Sequence, residues 1–195
     1  MPSDPANDRS DLDQLRRGDE RALGRLVARW QEPLMGFALR YWPDPMEARE
    51  LTAQTFVKLY QHRHRLREGS NLSAWLFTTL ANLCRNQRRW RRRHPSVPLE
   101  DVHLAEALLD RSGDPTATLQ EAELAGALQA AVAALPHKLR TVLLLHQYER
   151  LSHREIGEIV RCSEKAVELR LYRARQSLRT RLQRHLADGD GPPPT

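Results

Sequence analysis

The chain has 195 residues, 31 Lys and Arg against 25 Asp and Glu, a net charge of +6 and a pI of about 9.9; that length fits one or two small domains, and that balance favours a polyanionic partner. Its two cysteines stand far apart, which argues against a structural zinc site or a disulfide framework and for small core residues in a reducing cytoplasm. No apolar run reaches the roughly 18 residues of a membrane span, the start MPSDPANDRSD lacks a basic-then-apolar leader, and the expectation is a cytoplasmic protein without a cofactor.

Residues 1–10 are polar and proline-containing and read as disordered. Asp11 to Gly18 reads as a short helix. Glu20 to Tyr41 reads as a longer one, with Leu23, Leu26, Val27, Trp30, Leu34, Phe37 and Ala38 at helical spacing and Pro33 expected to kink or break it. Trp42-Pro43-Asp44-Pro45 is a turn, and Asp44 can cap a helix running to about Gln61 with Leu51, Thr55, Phe56 and Leu59 inward. His62 to Asn71 is a basic loop. Leu72 to Arg92 follows as a helix with Trp75, Leu76, Thr79, Leu80 and Leu83 inward, then an arginine run. His94 to about Thr116 is a proline-bounded linker, Thr116 to Ala134 a helix, and 187–195 a disordered tail. No strand signal of period two stands out, so the fold class expected is all-α: two small helical domains, 11–93 and 117–186, joined by a flexible acidic linker at 94–116.

Charge is distributed in blocks. From Arg63 to Arg93 there are nine arginines against the single acid Glu68, and from Pro95 to Ala127 seven acids against Arg111 alone. Two nucleic-acid faces with an acidic spacer account for this better than general solubility does. Leu135 to His185 carries the sharper pattern. Leu139, Val142 and Leu143 give one helix an apolar face. Ser152 caps a short second helix, with Glu155 three residues on completing a capping box and Ile156, Ile159 and Val160 inward. Arg161-Cys162-Ser163 is the turn; Arg161 stands at a position where a positive φ would cost a little without glycine. The third helix buries Val167, Leu171, Ala174, Leu178 and Leu182 and carries Lys165, Arg170, Arg173, Arg175 and Arg179 on its other faces. A capped short helix followed by a helix with an arginine-rich outer face is a helix-turn-helix suited to a DNA major groove; a bundle with a solvated basic face is the simpler alternative.

On these residues the chain resembles the extracytoplasmic-function class of bacterial RNA polymerase sigma factors, within the sigma-70 family. The likeness runs in order through ARELTAQTFVKLY (Ala48–Tyr60), SAWLFTTLANLCRNQRRWRRR (Ser73–Arg93), LPHKLRTVLLL (Leu135–Leu145) and YERLSHREIGEIVRCSEKAVELRLYRARQSL (Tyr148–Leu178). The resemblance implies that the helix Asp44–Gln61 docks on core RNA polymerase through Glu50, Leu51, Gln54, Phe56 and Tyr60. It implies that Arg63, Arg65, Arg67, Ser70, Asn71, Arg85, Arg88, Arg89 and Arg92 bind and open the −10 promoter element. Ser163, Lys165, Glu168, Leu169, Arg170, Tyr172, Arg173 and Gln176 would read the −35 element, and the acidic linker would thread through the polymerase near the RNA exit path. An anti-sigma factor is a further partner that the resemblance implies.

The residues themselves leave some readings open. Opening a duplex needs a basic surface and pockets for unstacked bases, and the Arg63–Asn71 loop offers arginines with Ser70 and Asn71, although a plain surface loop would look the same. Trp90 among arginines reads either as core or as a stacking platform. The chain departs from the family pattern at Ala53, Gln54, Asn86, Arg161, Ala166 and Glu168. Glu168 can accept from a cytosine N4 amine or merely pair with Lys165 on the helix surface. A helix-turn-helix regulator acting without polymerase would leave the basic fourth helix and the acidic linker idle, and an enzyme would need clustered carboxylates for metal, whereas the acids here concentrate in the linker.

Overall fold

The computed structural model describes residues 5–42, 44–66, 69–94 and 119–189. Among them are eight α-helices and no strand: α1 (Pro5–Arg16), α2 (Glu20–Tyr41), α3 (Pro45–His62), α4 (Leu72–Arg93), α5 (Leu119–Ala134), α6 (His137–Gln147), α7 (His153–Val160) and α8 (Glu164–Gly189), with a 3-10 turn at Arg63–Arg65. The expected all-α class is what is found. Arg67 and the segment from residue 95 to 118, which holds nearly all of the expected acidic linker, lie outside the described residues.

Two expectations of disorder are corrected. Residues 5–10 are helical, because α1 is tied down from a distance: Asp8 and Asp11 are buried and accept from Arg29, Asp11 also accepts from Arg25, and the Trp30 indole N–H donates to Asp8 at 3.1 Å. Burial alone would raise the Asp11 carboxyl, but hydrogen bonds from Arg25 and Arg29 hold it below the usual carboxylate range. At the other end α8 continues to Gly189, so 187–189 are helical too. Pro33 does not interrupt α2. It removes one N–H and cannot satisfy the Arg29 carbonyl, while Trp30, Leu34, Phe37 and Tyr41 are buried completely or nearly so on either side of it along the helix.

The N-terminal half is built on α2. Asp19 caps it, accepting from the Arg21 amide at 3.0 Å, and its aromatic stripe meets Phe77 of α4 edge-on at Trp30 and Phe37. Asp44 caps α3 through the amides of Met46 and Glu47, with Pro45 opening the helix, and Leu51, Thr55, Phe56 and Leu59 point inward as read. In α4 the buried stripe is Leu72, Leu76, Phe77, Leu80, Ala81 and Cys84; Trp75, Thr79 and Leu83 are only half-buried. The expected stripe was rotated because α4 is covered from two sides, by α2 and α3 on one and by α7 on the other. Burial pushes the Cys84 thiol up to about 12, which makes it an inert core residue.

The two halves are docked on one continuous apolar core. Between the halves α2 packs on α6 and α4 on α7, while α5 packs on α8 within the C-terminal half. At the joint the Tyr41 hydroxyl shares a hydrogen bond with His137 Nδ1, and the buried Arg140 donates to the carbonyls of Tyr41 (3.0 Å) and Val132 (2.9 Å) with its guanidinium over the Tyr41 ring. Burial lowers Arg140 to about 10, so it stays charged at neutral pH. His137 is pushed down to about 4, by burial first and then by Arg85, Arg140, Arg88 and Lys138. Its value in the unfolded chain is near 6.5, so the neutral ring's contribution is whole above that pH and is lost as pH falls toward 4. Over that window the thermal midpoint of the wild-type chain should fall more steeply with pH than that of His137→Gln; parallel slopes would remove His137 from the joint.

Candidate nucleic-acid interface

The C-terminal half positions its outer helix with local chemistry. The Ser152 hydroxyl accepts from the Glu155 amide at 3.3 Å, while Glu155 accepts from the Ser152 amide at 2.8 Å and hydroxyl at 2.6 Å, so the capping box is complete. Those hydrogen bonds from Ser152 hold the Glu155 carboxylate below its ordinary value. The turn is left-handed at Arg161, with φ of 51°, the small cost that its position implied. Cys162 returns its amide to the Gly157 carbonyl at 3.0 Å, and a Cβ on Gly157 would sit 2.7 Å from the Cys162 carbonyl oxygen. Glycine is therefore what lets α8 approach α7 this closely, a requirement that the helical periodicity did not reveal. Ser163 then accepts from the Ala166 amide at 3.3 Å and caps α8.

On α8, Val167, Leu171 and Ala174 are buried, and Lys165, Glu168, Leu169, Tyr172, Arg173 and Gln176 are exposed. Leu169 is 47% and Tyr172 61% exposed, on the same face as Lys165 and Arg173. Gln176 donates to the Tyr172 hydroxyl at 3.3 Å. Glu168 lies 3.6 Å from His153 Nδ1, at the start of α7, and not against Lys165, one of the two alternatives the sequence left open. Arg170 is half-buried and turned toward α4.

The N-terminal candidates separate into groups. Asn71 caps α4, accepting from the Ala74 amide at 3.0 Å, and its amide also reaches Glu158 of α7 at 3.3 Å. Ser70 lines a small cleft with Asn71, Asp8, Arg9 and Glu155. Arg63 folds back over the Tyr60 ring at 4.0 Å and donates to the Tyr60 carbonyl, while Arg65 lines a cleft with His62, Trp75 and Asn82. Arg88 donates to the Leu135 carbonyl at 3.0 Å, so in this docked arrangement it bridges the halves. Arg85 and Arg89 are exposed, and the side chain of Arg92 lies outside the described ones. Arg91 is structural, reaching Glu47 at 2.7 Å. Trp90 is 53% exposed, stacked on His94 at 4.9 Å, which rules out the core reading for it.

On α3, Leu51 and Phe56 are buried beneath the surface that Glu50 and Gln54 present, with Gln54 donating to Glu50 at 2.8 Å. Tyr60 donates to Glu20 at 3.0 Å. Leu51 and Gln54 line a cleft of about 480 Å³ with Asn86, Arg89, Trp90 and Arg93 of α4, which places the candidate polymerase and −10 surfaces side by side. Among the described residues no group of His, Cys, Asp and Glu is placed to hold a metal, and no helix is long and apolar enough to cross a membrane.

Residues 26–94 match the family described as Sigma-70 region 2, and residues 125–178 match Sigma-70, region 4. The RNA polymerase sigma-H factor of Pseudomonas aeruginosa is 30% identical over 178 residues, 88% of this chain and 92% of that protein. The ECF RNA polymerase sigma-E factor of Escherichia coli K12 is 27% identical over 188 residues, 93% of this chain and 97% of its own. Among solved structures, CnrH in complex with the cytosolic domain of CnrY superposes with a TM-score of 0.68 at 25% identity, covering 95% of this chain and 99% of that one. The Bartonella quintana sigma factor RpoE, solved with the anti-sigma factor NepR, shares the fold with a TM-score of 0.60 at 22% identity over 82% of this chain and 96% of that one. With two sigma-70 regions in order and a full-length likeness to sigma-H and sigma-E factors, the chain belongs to the extracytoplasmic-function class of the sigma-70 family and is a sigma factor that directs transcription initiation.

Proposed function

We propose that the two halves divide promoter recognition as the family does. The N-terminal half, α1 to α4, docks on core polymerase through Glu50, Gln54 and Tyr60 over buried Leu51 and Phe56. It engages the −10 element through the loop ending at Asn71 and the arginines of α4. The C-terminal half, α5 to α8, reads the −35 element, and the acidic segment at 94–116 links the two. The work takes place in the cytoplasm, and the bond-forming chemistry belongs to the polymerase. One observation carries the reading: six polar or exposed apolar side chains of α8, Lys165 to Gln176, share an outward face opposite a fully buried stripe, the form a major-groove helix needs.

Two kinds of contact should separate by mutation, read out with the reconstituted holoenzyme. Arg173→Ala should weaken binding to all −35 sequences alike and reduce the salt slope by about one. Glu168→Ala should relax preference at one base pair, by about 1–3 kcal/mol. An unchanged sequence preference for Glu168→Ala would leave Glu168 as a partner of His153 only. On α3, Gln54→Lys should lower affinity for core polymerase with helix content unchanged, and undiminished affinity would move the docking surface elsewhere.

In the docked arrangement Asn71 and Arg88 are engaged by α7 and by the Leu135 carbonyl. Reaching a promoter through those residues requires the halves to part. An anti-sigma factor that holds the halves together would therefore inhibit. We place that partner on the apolar groove of about 670 Å³ between α2, α5 and α6, lined by Met35, Leu39, Leu128, Val132, Leu144 and Tyr148. CnrH, a similar protein, is solved with a bound partner, which supports the expectation of such a partner for this chain.

A further inference from the structure

A further cleft, of about 430 Å³, lies between α4 and the C-terminal half. Arg85 of α4, His137 and Lys138 of α6, Arg161 of the turn and Arg170 of α8 line it, and among the described residues no carboxylate does. Thr78, Asn82 and Thr141 add neutral hydrogen-bonding groups to the same wall. The first turn of α6 opens onto it, and Pro136, at the cap position, supplies no side-chain cap to that turn's amides, so the positive end of the helix adds to the cationic wall. His137 is pushed down by burial first, and Arg85, Arg140, Arg88 and Lys138 add to that shift in the same direction.

Docking the halves brings these cations together, and like charges converging across a joint oppose it. The joint nonetheless forms on a continuous apolar core. A counter-anion in the cleft removes the conflict. Its size excludes a duplex, and its volume falls in the range of small-molecule sites. Four cations, Arg85, Lys138, Arg161 and Arg170, around such a volume suit several phosphate groups on one small molecule better than a single monovalent anion. We propose that this cleft binds a small oligophosphate, the phosphate chain of a nucleoside polyphosphate or its inorganic equivalent, which bridges α4 to α6 and α8 and holds the halves docked. The bound anion then competes with promoter DNA through conformation, because the docked state occupies Asn71 and Arg88.

The test uses the full chain and inorganic tripolyphosphate. Calorimetric titration should show saturable binding, and small-angle scattering should show the compact arrangement favoured as the site fills. Lys138→Ala and Arg161→Gly remove cations without threatening the fold: Lys138 is exposed in the first turn of α6, and glycine relieves the positive φ at Arg161. Each should lower the affinity about three- to tenfold, the range for charge-assisted contacts at a solvated site. ATP should bind through the same residues. Sodium chloride at matched ionic strength producing the same compaction, or full affinity retained by both variants, would overturn the proposal. So would a single-stranded oligonucleotide that depends on these residues where tripolyphosphate does not bind, since the cleft would then belong to nucleic acid.

Discussion

Trp30→Ala should lower stability by about 3–5 kcal/mol and the thermal midpoint by about 10 °C or more. Trp30 is fully buried, meets Phe77 edge-on at 6.2 Å, and donates its indole N–H to Asp8. Truncation removes the largest side chain at the meeting point of α1, α2 and α4 and leaves a cavity that three helices cannot collapse into. It also withdraws a donor from a buried carboxylate, so α1 loosens along with the core. Trp30→Phe keeps most of the volume but loses the donor and part of the ring, and should cost about half as much. Thermal unfolding followed by circular dichroism measures both. Equal, small effects of the two substitutions would mean that α1 and α4 do not meet at this residue.

Gly157→Val should cost about 3 kcal/mol and abolish −35 binding, whereas Gly157→Ala should cost about 1–2 kcal/mol. A methyl at Gly157 falls 2.7 Å from a backbone oxygen in the turn, which cannot swing aside as a flexible side chain would. Alanine recovers up to about 1 kcal/mol in helix propensity and valine less, so the clash outweighs the gain in both and more so for valine. The displaced turn moves Ser163 and the start of α8, the end that should enter the groove first. Band-shift titration of the holoenzyme on −35 DNA beside thermal unfolding separates the two effects. Wild-type stability for Gly157→Val would show that α7 and α8 can pack another way.

What could be read from the sequence was what is local. The Ser152–Glu155 box, the Asp44 cap with Pro45, the Arg161 turn and the Val167–Leu171–Ala174 stripe each depend on neighbours within a few positions, and each is present. The misses are long-range. Asp8 and Asp11 order α1 through arginines of α2, so a polar, proline-bearing start looked disordered. Tyr41, His137 and Arg140 meet across nearly half the chain, and nothing near any of them in sequence signals it. The stripe on α4 was rotated because a helix covered on two faces does not show one clean period. Among site residues, Arg88 and Arg170 read simply as outward cations, yet docking turns both toward the partner half.

Promoter-dependent run-off transcription tests the central claim most directly. The full chain is added to core polymerase with a template library varied at both the −10 and −35 positions. Transcripts should appear only when the chain and the core enzyme are both present. Enriched templates should share one pair of elements at a fixed spacing, and Arg173→Ala should reduce yield from all of them. Tight, sequence-specific binding of the chain alone to palindromic DNA, with no start sites gained by core polymerase, would contradict it.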